Sequence, residues 1–178
     1  MVYPLPAVLV SCGDNERSNL VTVAWTGTIC TNPAMLYISL RPERHSYGII
    51  REKMEFTVNL TTEAMARATD WCGVKSGRDF DKWKESGLTP EKGVKVACPS
   101  VAESPLSIEC RVREIIPLGS HHMFVAEVLD VLADPELIDP ATGAFRLDRA
   151  GLMSYSHGAY FSQGPEIGRF GWSVRKKK

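Results

Sequence analysis

From Leu106 to Arg113 the chain alternates apolar and polar residues without a break. Leu106, Ile108, Cys110 and Val112 share one side, and Ser107, Glu109, Arg111 and Arg113 the other. A two-residue period predicts a strand with one buried and one wet face. The same period runs through Leu20–Trp25, with Val21, Val23 and Trp25 on one face and Thr22 and Ala24 on the other. Shorter apolar runs at Ala7–Cys12, Met35–Leu40 and Glu55–Leu60 predict three more strands. Gly13-Asp14-Asn15 ends the first of them, and Pro33 and Pro42 bracket the second. His122–Leu132 reads differently: Phe124, Ala126 and Val128 lie on one face, and Val125, Leu129 and Val131 on the other. A strand apolar on both faces needs cover on both, by a barrel interior within and by a helix or a second subunit without.

Helical signals are fewer. Ser46–Glu52 predicts a short helix with Ser46 as its cap and Ile49-Ile50 turned inward. A second begins after Thr61 or Thr62, carries Glu63–Ala68, and stops before Gly73; a third spans Asp79–Ser86 between Gly77 and Gly87. These helices interrupt the strands instead of alternating with them. The pattern therefore predicts a mainly β, antiparallel barrel in one domain over residues 1–178, with a helical insertion at about 61–90.

Composition narrows the function classes. Lys+Arg and Asp+Glu both number 21 in 178 residues, which removes the basic footprint of a general nucleic-acid binder. No run approaches the roughly 18 apolar residues of a membrane helix. Met1–Pro6 lacks the basic and apolar regions of a signal peptide, so a cytoplasmic protein is expected. Five cysteines, at 12, 30, 72, 98 and 110, form no CxxC pair, and four have strand-like or apolar neighbours. They are expected to be reduced and buried. The histidines at 45, 121, 122 and 157 show no metal-ligand spacing, so no protein-held metal is expected. Arg175–Lys178 reads as a frayed basic tail.

Neither a GxGxxG turn nor a P-loop is present, so a bound nucleotide would need another cradle. Three segments offer one. Trp25-Thr26-Gly27-Thr28-Ile29-Cys30-Thr31-Asn32-Pro33 sets hydroxyls around a glycine, either as a Thr-rich strand end and turn or as donors to the edge of a planar polar ligand. Ser39-Leu40-Arg41-Pro42-Glu43-Arg44-His45-Ser46-Tyr47 brings two arginines to a helix start, where they pair with surface carboxylates or hold an anion. Lys82 stands in the first turn of the third helix, which the helix dipole disfavours; it either pairs with Asp79 or Asp81 or meets a ligand. Tyr155–Phe161 adds aromatics that either close the barrel or lid a pocket.

Taken in order, these segments resemble the flavin reductase-like family of FMN-binding split barrels. The resemblance rests on Asn19–Gly27, Asn32-Pro33, Ser39–Tyr47, Phe56–Leu60, Gly73–Lys82 and Leu118–Phe124, and runs from about Pro4 to Trp172. It implies a six-stranded antiparallel split barrel of Greek-key type, usually a homodimer, with noncovalent FMN near the subunit boundary. On that reading Asn19 and Trp25 approach the isoalloxazine, and Ala24, Thr26, Gly27 and Thr28 line its polar edge. Arg41, Arg44, His45 and Ser46 form the phosphate side, Lys82 reaches in from the inserted helix, and Asn32, Ser39 and Tyr160 complete the cofactor set. No side chain need act as a nucleophile or acid, because the flavin carries the reactivity. The implied activity is an NAD(P)H-dependent flavin reductase. Two alternatives are an FMN electron carrier of flavoredoxin type, reduced by a partner protein, and a non-catalytic module binding FMN or another heterocycle.

Overall fold

A computed structural model describes residues 2–175; Met1 and the Lys176–Lys178 part of the expected basic tail lie outside them. Among the described residues the strands are β1 (Leu5–Pro6), β2 (Val8–Gly13), β3 (Ser18–Val23), β4 (Thr26–Thr31), β5 (Ala34–Leu40), β6 (Glu55–Asn59), β7 (Pro90–Glu91), β8 (Ser100–Val101), β9 (Leu106–Pro117), β10 (His122–Ala133), β11 (Met153–Ser156) and β12 (Ala159–Ser162). The α-helices are α1 (His45–Lys53), α2 (Ala66–Val74) and α3 (Lys82–Ser86). None is long and apolar enough to cross a membrane.

The main sheet runs β3-β2-β6-β9-β10-β5-β4, antiparallel throughout. β3 and β4 follow each other in sequence yet lie at opposite edges, with only Ala24 and Trp25 between them. Two residues cannot span an open sheet, so the sheet must curl until its edges meet. The Ser39 amide donates to the Trp25 carbonyl at 2.8 Å, carrying the β4–β5 pairing into the connection between β3 and β4. Counted as one interrupted strand, β3 and β4 make this the expected six-stranded antiparallel barrel.

Inward residues of alternating period fill the barrel: Val8, Val10, Val21, Val23, Ile38, Phe56, Val58, Cys110, Val112 and Phe124. Tyr47 and Ile50 of α1 pack on the same core. A second cluster, including Leu9, Leu20, Met65, Cys72 and Trp83, sits between the outer face of β2–β3 and helices α2 and α3. The strand covered on both sides is therefore β2, all six of whose residues are buried, and not β10. In β10, Phe124 and Ala126 are buried, Val125 and Leu129 are half-buried, and Val131 is 49% exposed. Two register shifts against β9 break its alternation.

The helix starts differ from the sequence reading for identifiable reasons. Arg44 occupies the N-cap of α1 with no side-chain cap. Ser46 lies two residues further in, buried, where its hydroxyl accepts the Asn19 amide at 2.7 Å; a tertiary bond replaces the local cap. α3 begins at Lys82 rather than Asp79 because the Asp81 carboxylate caps it, accepting from Trp83 and Lys84 amides at 3.1 and 3.3 Å. Asp79 and Phe80 belong to the preceding turn, their amides donating to the Ser76 carbonyl. β6 ends at Asn59, whose buried amide donates to the Leu9 carbonyl and Ser11 hydroxyl while its oxygen accepts from the Val101 amide and Ser107 hydroxyl. β11 and β12 form a hairpin beside β1 and bring Tyr155 and Tyr160 near the β3–β4 break.

Candidate functional site

The interruption between β3 and β4 is also where the site begins. At Ala24 the chain leaves the sheet, and Trp25 turns outward, 39% exposed, instead of continuing the Val21–Val23 core face. Its indole packs against the His121 ring at 4.5 Å between centroids. Ala24, Trp25, Ser39, Arg41, His121 and Tyr160 line a cavity of about 400 Å³, together with Asp70 and Gly73 of α2. Tyr160 donates its hydroxyl to the Asp70 carboxylate at 3.1 Å. Burial, and then that carboxylate, push the phenol up to about 12, so Tyr160 is a fixed donor at neutral pH. Burial, followed by the nearby Arg41 charge, lowers the His121 pKa and favours the neutral ring.

A second cavity of about 300 Å³ adjoins the first through Arg41 and Arg44, which line both. Asn19, His45, Ser46 and Lys82 line it, with Lys75, Ser76 and Arg78 from the loop before α3. Gly77 is required there: a Cβ would stand 2.2 Å from the Asn19 side-chain oxygen, so any larger residue would push Asn19 off Ser46. Five cations (Arg41, Arg44, Lys75, Arg78 and Lys82) face a single carboxylate, Glu43, around this cavity, in a chain of zero net charge.

None of the five forms an ion pair among the described residues. Arg44 instead donates to the Gly73 carbonyl at 2.9 Å, and Arg78 to the Glu43 carbonyl at 3.2 Å. The Lys82 ammonium, buried, bonds the Leu20 and Cys72 carbonyls at 2.8 and 2.6 Å. It pairs with neither Asp79 nor Asp81, and one of its three protons is left for the cavity it lines. Burial lowers its pKa to about 8, opposed by Cys72 and assisted by Arg44. His45 is likewise lowered, by burial first and then by Arg78, Arg17 and Lys82. Positive potential without a fixed countercharge is the chemistry of an anion site.

The two cavities bring together Asn19, Ala24, Trp25, Ser39, Arg41, Arg44, His45, Ser46, Lys82 and Tyr160. Thr26, Gly27, Thr28 and Asn32 line neither. Thr26 is turned along the hairpin, its hydroxyl on the Tyr37 carbonyl at 2.6 Å; Gly27 faces the Tyr37 ring, and Thr28 and Asn32 are exposed. His121, Asp70, Gly73, Lys75, Ser76 and Arg78 enter without having been singled out as site residues. The stretches Gly73–Lys82 and Leu118–Phe124 carried that signal for all but Asp70, which nothing in the sequence marks. The thiols line neither cavity. All five are free, and burial pushes Cys12 and Cys98 up to about 12, which keeps both protonated and unreactive.

Comparison with known proteins identifies the fold. The profile of the flavin reductase like domain matches residues 1–162. The flavoredoxin structure of Desulfovibrio vulgaris (Miyazaki F) superposes with a TM-score of 0.90 at 29% identity, covering 98% of this chain and 95% of that one. A flavin reductase with a split barrel domain from Shewanella frigidimarina, described as putative, shares the fold at 22% identity and a TM-score of 0.84, over 95% of this chain and 86% of the other. The NADPH-flavin oxidoreductase of Streptomyces viridifaciens is 28% identical over 134 residues, 71% of this chain and 66% of that protein.

Proposed function

This chain belongs to the flavin reductase-like family, and from that premise we propose that it is an oxidoreductase holding FMN noncovalently and reduced by NAD(P)H. The observation that carries the reading is the unpaired cation cluster joined to an aromatic-walled cleft. Cavities of about 300 and 400 Å³ meeting at Arg41 and Arg44 suit a ligand with one planar and one anionic end. A single terminal phosphate fits the smaller cavity, which favours FMN over a dinucleotide flavin. Bound FMN would supply two-electron chemistry, taking hydride from a nicotinamide and passing electrons to an acceptor.

The protein's part is position and charge. Arg41, Arg44, Ser46, Arg78 and Lys82 hold the phosphate, while Asn19, fixed by Ser46 and crowded by Gly77, orients the chain beside it. Trp25 and His121 wall the ring, and Tyr160, pinned by Asp70, covers the opposite side. The reading includes a homodimer, and a cytoplasmic setting in keeping with five free thiols.

The likeness to flavoredoxin favours one second reading, an FMN electron carrier reduced by a partner protein. Anaerobic addition of NADH and of NADPH to the FMN-loaded protein separates the two. Prompt bleaching of the flavin band by either nicotinamide supports the reductase. Retention of the band with both, and bleaching by a reduced redox protein, selects the carrier.

A further inference from the structure

Beyond the two cavities of the site lies a third concavity, of about 1020 Å³, against the outer face of α1. It shares Arg44, His45 and Arg78 with the anion cavity and adds Arg17, Arg51 and Lys53. Lys53 is paired with Asp14 at 3.0 Å. Among the described residues, Arg17, Arg44, Arg51 and Arg78 have no carboxylate partner, and Glu52 is the one other acidic residue of the wall. The Arg51 guanidinium lies over the Tyr47 ring, 5.9 Å from its centroid, which orders it at the groove.

A flavin phosphate of charge about −2 in the adjoining cavity would leave this arginine set in excess. Guanidinium forks favour phosphate monoesters, which they grip bidentately, and their flat faces stack on heterocycles.

A second observation points to a ligand here. Gly48 lies in the middle of α1, exposed, and lines the groove. Its backbone is not left-handed, and a Cβ built on it would meet nothing within 4 Å. No packing within the chain calls for glycine, although glycine weakens a helix relative to alanine. A molecule lying close against the helix backbone does call for it.

We propose that this groove holds the adenosine 2′-phosphate end of NADPH, so that the proposed reductase prefers NADPH over NADH. The inference deepens the functional reading above and rests on it. NADH, with only its pyrophosphate diester, brings no monoester for the arginines. The groove's continuity with the flavin-phosphate cavity through Arg44 and Arg78 puts that end of the dinucleotide beside the cofactor.

The test is calorimetric titration of the FMN-loaded protein with adenosine 2′,5′-bisphosphate, with 5′-AMP as the comparison. One bisphosphate should bind per chain, at least tenfold more tightly than 5′-AMP. Arg51→Gln should weaken it at least tenfold, and Gly48→Ala should weaken it while raising the thermal midpoint of the free protein. Equal affinity for both nucleotides, no binding of either, or indifference to both substitutions would overturn the proposal. The FMN absorption band should be unchanged in both variants. If FMN itself fails to bind, the functional reading falls, and the same titration on the flavin-free protein still decides whether the groove takes the bisphosphate.

Discussion

Lys82 is the residue on which the charge argument can be tested by pH. Its pKa of about 8 lies below the 10.5 of a free lysine. Between those values the unfolded chain binds more protons, so this group makes stability rise with pH across that window; below about 8 both states are charged and the burial penalty is fully felt. A phosphate contact reverses the preference by favouring charged Lys82. FMN should therefore bind more tightly at pH 7 than at pH 9, read by quenching of flavin fluorescence, and Lys82→Met should remove the difference. Equal affinity at the two pH values in the native protein would place the phosphate elsewhere. Arg41→Ala with Arg44→Ala should cost FMN about 1.5–3 kcal/mol per lost charge-assisted bond and cost riboflavin, which has no phosphate, far less. Equal losses for both ligands would show that these arginines do not read phosphate. Arg41, Arg44, His45 and Ser46 were legible in the sequence because one short stretch, the turn into α1 and its first residues, carries all four. Asp70 was not, because its bond to Tyr160 joins residues 90 apart in sequence, and Lys82 was legible only as an anomaly, since its partners are main-chain carbonyls that no sequence pattern displays.

Elements were read best where burial is one-sided. In the first part of β9 that holds only for the second half of the Leu106–Arg113 alternation, where Cys110 and Val112 are in the core and Arg111 and Arg113 are exposed. Ser107 and Glu109, expected on the wet face, are buried, because Ser107 donates to Asn59 and the Glu109 carboxylate accepts the Val94 and Lys95 amides. The Leu20–Trp25 period extends one turn of the pattern too far, because the closure of the barrel takes Ala24 and Trp25 out of the sheet. Trp25→Ala should thus weaken flavin binding, by about 0.5–1.5 kcal/mol beyond the area lost, while unfolding stays cooperative; loss of cooperativity with flavin retained would mark Trp25 as a core residue. The third helix was read three residues too long because Asp79 and Asp81 are equally good caps in sequence, and only the turn on Ser76 decides between them. Asp81→Ala should cost about 1 kcal/mol in urea denaturation through the two lost amide bonds. It should also loosen Lys82 and Trp83, which follow directly. No change in stability would mean that the cap carries no weight in the fold.

At the scale of the molecule, the monomer leaves Ile29 and Val131 each 49% exposed and Leu118 59% exposed. Phe170 and Trp172 near the C-terminus are uncovered as well. A twofold partner is the simplest cover for such surface, and a chain with no net charge has no self-repulsion to oppose it. Light scattering after size exclusion should give twice 19.7 kDa; a mass of 19.7 kDa with flavin bound would contradict the dimer. The barrel was legible because one alternating face per strand sufficed to place it. The site was legible only in pieces, since its cations arrive from two separate stretches of chain, Arg41–Arg44 and Lys75–Lys82, and converge only in the folded barrel. Titration of the flavin-free protein with FMN, with riboflavin as the control, tests that convergence most directly. One FMN should bind per chain, at least tenfold more tightly than riboflavin, and a chain that binds neither, or both alike, would contradict the assignment of this cleft to FMN.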